Sequence, residues 1–205
     1  MPSYTELYYS DPGNLGNPNL RPERAWSYEG GLEWIHSQRL RAQATVFYRQ
    51  DRDGIDYIRT SPTDLWHAAN VDQLNFTGVE AGVAATPRHG QQLDFRYTVL
   101  HGSENPAPGI ESKYVFNYPA HAGVASWRVS LPSGVLFRTR VGVTDRRAQV
   151  PYALWDLYAG STRGRIHPFL QITNMANVGY QEIPGVWMPG RAVVGGLEWV
   201  VVRGR

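Results

Sequence analysis

Residues 25–35, AWSYEGGLEWI, alternate between two kinds of side chain. Large apolar residues such as Trp26 and Trp34 occupy one set of alternate positions, and the other set includes Glu29 and Glu33. Successive side chains of a β-strand point to opposite faces of the sheet. The alternation therefore predicts a strand with one apolar face and one acidic face.

The same alternation recurs along the chain and predicts an all-β, antiparallel protein of about nine strands. The predicted strands are residues 25–35, 40–49, 74–85, 93–99, 125–131, 135–143, 152–158, 166–174 and 192–202. Short turns are predicted at 36–39, 86–91, 132–134 and 160–164, and long loops at 50–71, 102–113, 145–151 and 175–189. Up-and-down strands place all short turns at one end of the sheet and all long loops at the other, as in outer-membrane β-barrels.

The composition excludes several classes of protein. The 205 residues include 20 Lys and Arg against 18 Asp and Glu, so the net charge of +2 gives no reason to expect nucleic-acid binding. With no cysteine, the chain has no disulfide scaffold, thiolate metal site or cysteine nucleophile. No apolar run reaches the length of about 18 residues that would predict a transmembrane helix. The first residues also lack the basic and apolar regions of a secretion signal.

Two architectures fit the alternating strands: a soluble β-sandwich, whose apolar face is a core, and a membrane barrel, whose apolar face meets lipid. Trp26 and Trp34 lie eight residues apart on one face. That spacing is roughly 26 Å along a strand, or about 20 Å along the membrane normal, which matches two aromatic girdles around an apolar band. Small residues, including Gly30 and Ala44, occupy the middle. The pattern favours the transmembrane barrel.

Four segments resemble the C-terminal part of TonB-dependent outer-membrane receptors. They are residues 2–8 (PSYTELY), 16–23 (GNPNLRPE), 169–174 (FLQITN) and 188–191 (MPGR). The subgroup they most resemble is that of cobalamin and siderophore receptors. The resemblance implies that residues 1–205 are the C-terminal portion of the barrel domain, supplying about nine strands of a 22-stranded barrel, with the plug domain and signal peptide absent. An odd number of strands also indicates part of a larger barrel, because single-chain bacterial barrels have even strand counts.

The resemblance implies an outer-membrane receptor of a Gram-negative bacterium, which takes up a metal chelate such as a siderophore or cobalamin with energy from TonB. Its partners would be its own plug domain, TonB, the chelate and outer-membrane lipid. Two alternatives stay open. One is a small autonomous barrel of eight strands, structural or adhesive in role, in which the element at 152–158 joins a loop. The other is a soluble β-sandwich binding module.

Charged residues of the polar strand faces are expected to line the barrel lumen and to contact the plug. They are Glu29, Glu33, Arg41, Arg49, Glu80, Arg96, Arg128, Arg138 and Arg140. Residues of the extracellular loops are expected to contact the ligand, because aromatic rings stack on large amphipathic molecules without one fixed hydrogen-bond pattern. The candidates are Tyr57, Trp66, His67, Asn70, Tyr152, Trp155 and Trp187.

No motif predicts catalysis, a cofactor or a metal site. The chain has neither a Gly-x-Ser-x-Gly elbow nor a phosphate-binding glycine loop. Its six histidines show no metal-ligand spacing. Asp51, Asp53 and Asp56 resemble the start of a calcium loop, but Gly54 comes two positions early and Pro62 stands where the loop needs glutamate. We expect a solvated loop there and no enzyme activity.

Overall fold

The computed structural model describes residues 1–102, 109–147 and 149–201, apart from the side chain of residue 72. The described residues form one short helix, α1 (Tyr4–Tyr8), and 13 strands. The strands are β1 (Asn14–Leu15), β2 (Arg24–Ser37), β3 (Leu40–Arg59), β4 (Trp66–Ala85), β5 (Gln91–Gly102), β6 (Glu111–Ser112), β7 (Pro119–Ser130), β8 (Val135–Arg146), β9 (Tyr152–Ser161), β10 (Ile166–Thr173), β11 (Gln181–Ile183), β12 (Val186–Trp187) and β13 (Ala192–Trp199). In this part of the chain no helix is long and apolar enough to cross a membrane.

Nine long strands form one antiparallel sheet in the order β13-β10-β9-β8-β7-β5-β4-β3-β2. Consecutive long strands are neighbours throughout, so the prediction of nine up-and-down strands is confirmed. Two short strands extend the sheet: β1 pairs in parallel with β4, and β6 pairs with β3. The pair β11–β12 forms a separate hairpin. Within the described residues β2 and β13 do not pair with each other, so the sheet is open.

Strand register places the predicted lumen residues on a single face, which we call the polar face. Side chains of directly paired residues lie on the same side of a sheet. One row joins Glu33, Gln43, Gly82 and Arg96 across four strands. The same alternation places all nine predicted residues on this face: Glu29, Glu33, Arg41, Arg49, Glu80, Arg96, Arg128, Arg138 and Arg140. The opposite face, which carries Trp26 and Trp34, is called the apolar face.

The wall of nine strands has no packed core of its own. Large side chains of the apolar face are exposed, and Leu32 reaches 84% exposure. The buried apolar residues lie instead toward the long-loop end: Leu20, Trp66, Ala68, Leu74, Tyr118 and Tyr152. The β-sandwich alternative is therefore wrong for the described residues, because no second sheet covers either face. The eight-stranded alternative also fails, since β9 is a full strand paired with both β8 and β10.

The predicted loop at 50–71 is wrong. Strand β3 continues to Arg59 and β4 begins at Trp66, so only residues 60–65 form the hairpin tip. The short turns at the other end fall close to their predicted positions. Gly90, Gly134 and Gly164 occupy these turns with φ values of +77°, +86° and +86°. Glycine suits them because it has no Cβ to oppose the left-handed backbone conformation.

Candidate functional site

Three segments pack together at the long-loop end: residues 1–23, the hairpin extension 50–71, and residues 109–118. Asn70 ties the first of them to the hairpin. Its Oδ1 accepts from the backbone N–H of Arg21 (2.8 Å), and its Nδ2 donates to the backbone oxygens of Arg21 (3.0 Å) and Asp53 (2.7 Å). The side-chain amide of Asn70 thus joins the backbone of the N-terminal segment to the backbone of the hairpin extension.

The N-terminal segment has its own local order. Ser3 and Glu6 form a capping box at the start of α1, where each side chain accepts from the other residue's backbone N–H. Farther along, the backbone N–H of Trp66 donates to the oxygen of Gly13 (3.0 Å) beside the β1–β4 pairing. The segment therefore joins the sheet instead of hanging free from it.

Asp56 anchors the third segment to the hairpin. This side chain is only 1% exposed, and its carboxylate accepts hydrogen bonds from four donors. They are the Ser112 hydroxyl and the backbone N–H groups of Tyr57 (2.7 Å), Tyr114 (3.2 Å) and Val115 (3.1 Å). Burial raises the pKa of Asp56, although all four hydrogen bonds act in the opposite direction. The expectation of a solvated loop is therefore wrong at this position.

The anchored segment places Lys113 among three aromatic rings. The Lys113 Nζ lies 5.5 Å from the ring centre of Tyr57, 5.7 Å from that of Trp66 and 5.5 Å from that of Tyr114. It also donates to the Oδ1 of Asn14 at 2.8 Å. We call Tyr57, Trp66, Lys113 and Tyr114 the Lys113 cluster. Ammonium groups within about 6 Å of aromatic faces are attracted by the negative face of the ring.

A second cation borders the Lys113 cluster. The Arg59 guanidinium lies 4.3 Å from the ring centre of Trp66 and forms a 2.7 Å ion pair with Glu111. Within the cluster Trp66 is buried, Tyr57 and Lys113 are half-buried, and Tyr114 is 50% exposed. Burial is also the main reason why the pKa of Tyr57 is raised. Solvent therefore reaches the ring of Tyr114 and parts of Tyr57 and Lys113, so a molecule from solvent can contact an aromatic ring and a positive charge together.

Sequence reasoning identified Tyr57 and Trp66 but missed Lys113, Tyr114 and Arg59. One signal was available, because Lys113 is the only lysine in the chain. All other basic residues of the chain are arginines, so the single lysine on a long connection indicates a position where an ammonium group is favoured over a guanidinium group. The contact between Lys113 and the predicted residues Tyr57 and Trp66 could not be predicted from sequence, because the lysine follows β6 and the two rings lie on β3 and β4.

Tyr152 belongs to a second group at the same end. Its ring centre lies 4.5 Å from that of Tyr180, and its hydroxyl donates to the Oε1 of Glu182 at 3.4 Å. The Asn117 Nδ2 donates to the backbone oxygen of Glu182 at 2.6 Å, which connects this group to the segment 109–118. Burial raises the pKa of Tyr180, and the charge of Glu182 adds to that shift.

The other predicted ligand contacts are dispersed. Trp155 lies on the apolar face opposite Val141, and its Nε1 donates to the hydroxyl of Thr139 at 2.7 Å. Trp187 is 71% exposed on β12, and His67 is exposed on β4. All seven predicted residues lie on strands, so their placement in loops is wrong. Of the seven, the structure brings only Tyr57 and Trp66 together around a shared group.

The polar face carries both paired and unpaired charges. Arg41 lies 3.9 Å from Glu33, and Arg140 lies 3.5 Å from Asp156. Farther toward the loops, Arg49 and Asp51 form a 2.8 Å ion pair. Across the described residues, the remaining predicted charges of this face form no ion pair. They are Glu29, Glu80, Arg96, Arg128 and Arg138.

The aspartates that resemble a calcium loop do not converge. Asp51 pairs with Arg49, Asp53 pairs with Arg21 at 2.7 Å, and Asp56 faces the segment 112–115. Residues 1–102, 109–147 and 149–201 contain no group of three or more His, Asp or Glu side chains placed to hold a metal ion.

Similarity to known proteins extends over most of the chain. A family model described as TonB dependent receptor-like, beta-barrel, matches residues 1–178. The vitamin B12 transporter BtuB of Vibrio vulnificus is 29% identical over 79 residues, which are 38% of this chain and 12% of that protein. The iron-regulated outer membrane virulence protein of Vibrio cholerae is 27% identical over 135 residues, covering 59% of this chain and 21% of that protein.

The fold resembles solved receptors. The copper transporter OprC superposes with a TM-score of 0.74 at 15% identity, over 97% of this chain and 36% of that chain. The ferric yersiniabactin uptake receptor FyuA of Yersinia pestis gives a TM-score of 0.61 at 18% identity, over 85% of this chain and 28% of that chain. The chain thus spans about a fifth or less of the curated relatives and about a third of these structures. Because the family model covers residues 1–178 of 205, the chain belongs to the β-barrel family of TonB-dependent receptors.

Proposed function

We propose that this chain is the C-terminal barrel segment of a receptor in the outer membrane of a Gram-negative bacterium. The receptor takes up a metal chelate, such as a siderophore or cobalamin, with energy that TonB delivers through the plug domain. The observation that carries the proposal is the division of one antiparallel sheet into an apolar face and a charged face, with an ordered cluster at its long-loop end. A barrel wall between lipid and a wet lumen requires that division.

The relatives support the class of ligand. One is a vitamin B12 transporter, and the solved structures include receptors for ferric yersiniabactin and ferric enterobactin. These ligands share a chelated metal within a large organic molecule that offers several apolar or π surfaces. The Lys113 cluster combines ring faces with a cation, which is a suitable surface for such a molecule.

Tyr57, Trp66, Lys113 and Tyr114 are the proposed ligand contacts. His67, Asn70, Tyr152 and Trp187 remain proposed members of the same loop end, where Asn70 acts by holding the hairpin to the N-terminal segment. Trp155 leaves the proposed site, because its position on the apolar face fits the aromatic belt at a membrane interface. The charges of the polar face are proposed to face the plug.

Gene disruption in the source bacterium tests the proposal. Uptake of radiolabelled ferric siderophores and cobalamin is measured in the parent, in a strain with an in-frame disruption of this coding region, and in a strain without TonB. Loss of uptake of the same chelate in both altered strains supports the proposal. The transport function is refuted if, under metal limitation, the disrupted strain takes up every chelate at the parental rate while the strain without TonB does not.

Substitutions in the Lys113 cluster test its role in binding. Lys113→Gln removes the ammonium group and keeps a polar side chain of similar reach, so chelate affinity should fall about tenfold if the lost cation–aromatic and charge interactions are worth about 1–2 kcal/mol. The matched control is Arg88→Gln, which also removes one cation, from an exposed position in the short turn at the opposite end of the sheet. Equal affinity of the Lys113→Gln variant and the parent would remove the cluster from the binding site but would leave the transport assignment intact.

A further inference from the structure

We propose that Arg128 and Arg138 form a docking site for a carboxylate carried by the plug polypeptide. The site lies on the polar face, close to the short turn at residues 131–134. This inference rests on the proposed function, because it requires a lumen that a polypeptide fills. It adds to that function the residues that the plug contacts and the sign of the charge that the plug presents to them.

The two arginines lie directly opposite each other in the β7–β8 ladder. Like charges at directly paired positions destabilise a sheet. Both side chains are exposed on the polar face. An anion bound between or above the two guanidinium groups would offset the repulsion between these paired positions.

Some arginines of the same face already have such partners, whereas this pair and Arg96 have none in the described residues. Arg41 lies within ion-pair distance of Glu33, and Arg140 lies within ion-pair distance of Asp156. Throughout the described residues, no carboxylate forms an ion pair with Arg128 or Arg138. The unmatched charge therefore does not extend to every arginine of the wall, and of the unpaired arginines on this face Arg128 and Arg138 are the two that lie directly opposite each other.

The surroundings hold the pair in a concave surface. Arg128, Leu136, Arg138 and Tyr158 line a groove on the polar face. The guanidinium carbon of Arg138 lies 5.4 Å from the ring centre of Tyr158, which lies in the next strand at the same register position. Stacking on an aromatic ring restricts a guanidinium group and leaves its N–H donors available at the edges.

A carboxylate is the group that this surface fits best. Guanidinium groups bind carboxylates through paired N–H donors, and two adjacent groups can share one carboxylate or bind two. Once a plug excludes water from the wall, an unpaired arginine would carry a high desolvation cost. Among the described acids of the polar face, Glu29 and Glu80 lie on the distant strands β2 and β4, and Asp94 lies on β5 beside β7 but forms no ion pair with Arg128. The wall therefore favours a plug that turns acidic side chains toward β7 and β8.

Zero-length cross-linking tests the site in the receptor encoded by the complete gene. Arg128→Lys and Arg138→Lys keep the positive charge and supply a primary amine, and the only native lysine of this chain is Lys113. A carbodiimide activates a contacting carboxyl group, which the amine attacks to form an amide as the urea leaves. Mass spectrometry should find the new lysines joined to an aspartate or glutamate outside residues 1–205. Arg41→Lys is the control, because its neighbour Glu33 should react with it.

The proposal would be overturned if the lysines at positions 128 and 138 were cross-linked to carboxyl groups of this chain's own sheet. So would the absence of any link at both positions while position 41 reacts. The double variant Arg128→Glu/Arg138→Glu gives a second test, since repulsion should loosen the plug and cost the cell its barrier to a large glycopeptide antibiotic. Arg128→Gln/Arg138→Gln should weaken the barrier less.

A different outcome would assign the pair to the transported ligand. In that case uptake would fall in the Arg128→Glu/Arg138→Glu variant, but the antibiotic barrier would be unchanged. The lysine variants would form no cross-link to the plug. That result also overturns the proposal. Failure of the parent receptor to transport a chelate would count against the proposed function, but the cross-link would still report whether a carboxylate meets the pair.

Discussion

Replacing Asp56 by asparagine should release the segment 109–118 from the β3–β4 hairpin without unfolding the sheet. The Asp56 Oδ1 accepts from the backbone N–H groups of Tyr57 and Tyr114, and an asparagine oxygen in that position would still do so. The Oδ2 accepts from Val115 N–H and the Ser112 hydroxyl. An amide NH₂ at the Oδ2 position can donate to the Ser112 oxygen, but it cannot accept from Val115.

The expected cost follows from that one lost partner. A buried N–H left without an acceptor costs about 1–3 kcal/mol. At about 2 kcal/mol, the equilibrium constant for local opening of the segment rises roughly thirtyfold, because about 1.4 kcal/mol corresponds to a factor of ten. The sheet itself should keep its stability, since Asp56 lies beyond Gln50, the residue that pairs with Trp26 at the edge of the apolar band.

Amide hydrogen exchange of the receptor in detergent, followed by mass spectrometry, measures this opening. Peptides that cover residues 111–118 should exchange about thirtyfold faster in the Asp56→Asn variant, whereas peptides from β7 and β8 should not change. The matched control is Asp64→Asn at the hairpin tip, where the carboxylate is exposed and accepts from Thr60. Unchanged exchange of the 111–118 peptides in Asp56→Asn would refute the assignment of Asp56 as the anchor.

Three further predictions concern the sheet and the pH dependence of the anchor. Gly78→Ala should lower the free energy of unfolding by about 1–3 kcal/mol, because an added Cβ would overlap the ring packed against it from β3; Gly30→Ala, with nothing within 4 Å, should be neutral in a urea titration. Val46→Arg on the apolar face should cost about 2–4 kcal/mol in lipid, but Thr45→Arg on the polar face should still refold to the heat-modifiable form on a gel. Burial raises the pKa of Asp56, so its native carboxyl binds a proton more tightly than the unfolded one. Protection of the 111–118 amides, corrected for intrinsic exchange, should therefore be greatest below about pH 4 and fall as the pH rises toward the native pKa; a rise would contradict this sign.

The wall of the sheet could be predicted because its rule is local. Between the levels of Trp26 and Trp34, each residue of a strand faces either the apolar or the polar side. The alternation with a period of two can therefore be recognised in about ten consecutive residues. This rule identified all nine long strands and placed charges as distant in sequence as Glu29 and Arg140 on one face.

The hairpin extension could not be predicted by that rule. Beyond Gln50 the chain loses its alternation of apolar and polar residues, as expected where one face of the sheet no longer has to be apolar. Asp53 also adopts a left-handed conformation with φ of 55°, which is uncommon within a strand. Residues 51–56, with three aspartates and a glycine, have the composition of a turn although they continue a strand.

The Lys113 cluster was beyond sequence reasoning for a different reason. Its members come from β3, β4 and the connection that follows β5, and their contact depends on how Asp56 binds that connection. Neither residue spacing nor composition encodes such a contact. Tyr57 and Trp66 were predicted as ligand contacts and the single lysine could be noticed, but the contact of both rings with that lysine required the structure.

The hydrogen bonds between the hairpin extension, the N-terminal segment and residues 109–118 also affect how other molecules recognise this end of the protein. Its surface is discontinuous in sequence, because Asn14, Trp66 and Lys113 meet there from three separate segments. Antibodies raised against a linear peptide of residues 109–118 should bind the folded protein poorly, whereas antibodies raised against the folded protein should lose their epitope when any one segment is replaced. A substitution in one segment would then alter recognition of the other two, so antigenic variation at this end should occur in correlated groups of residues.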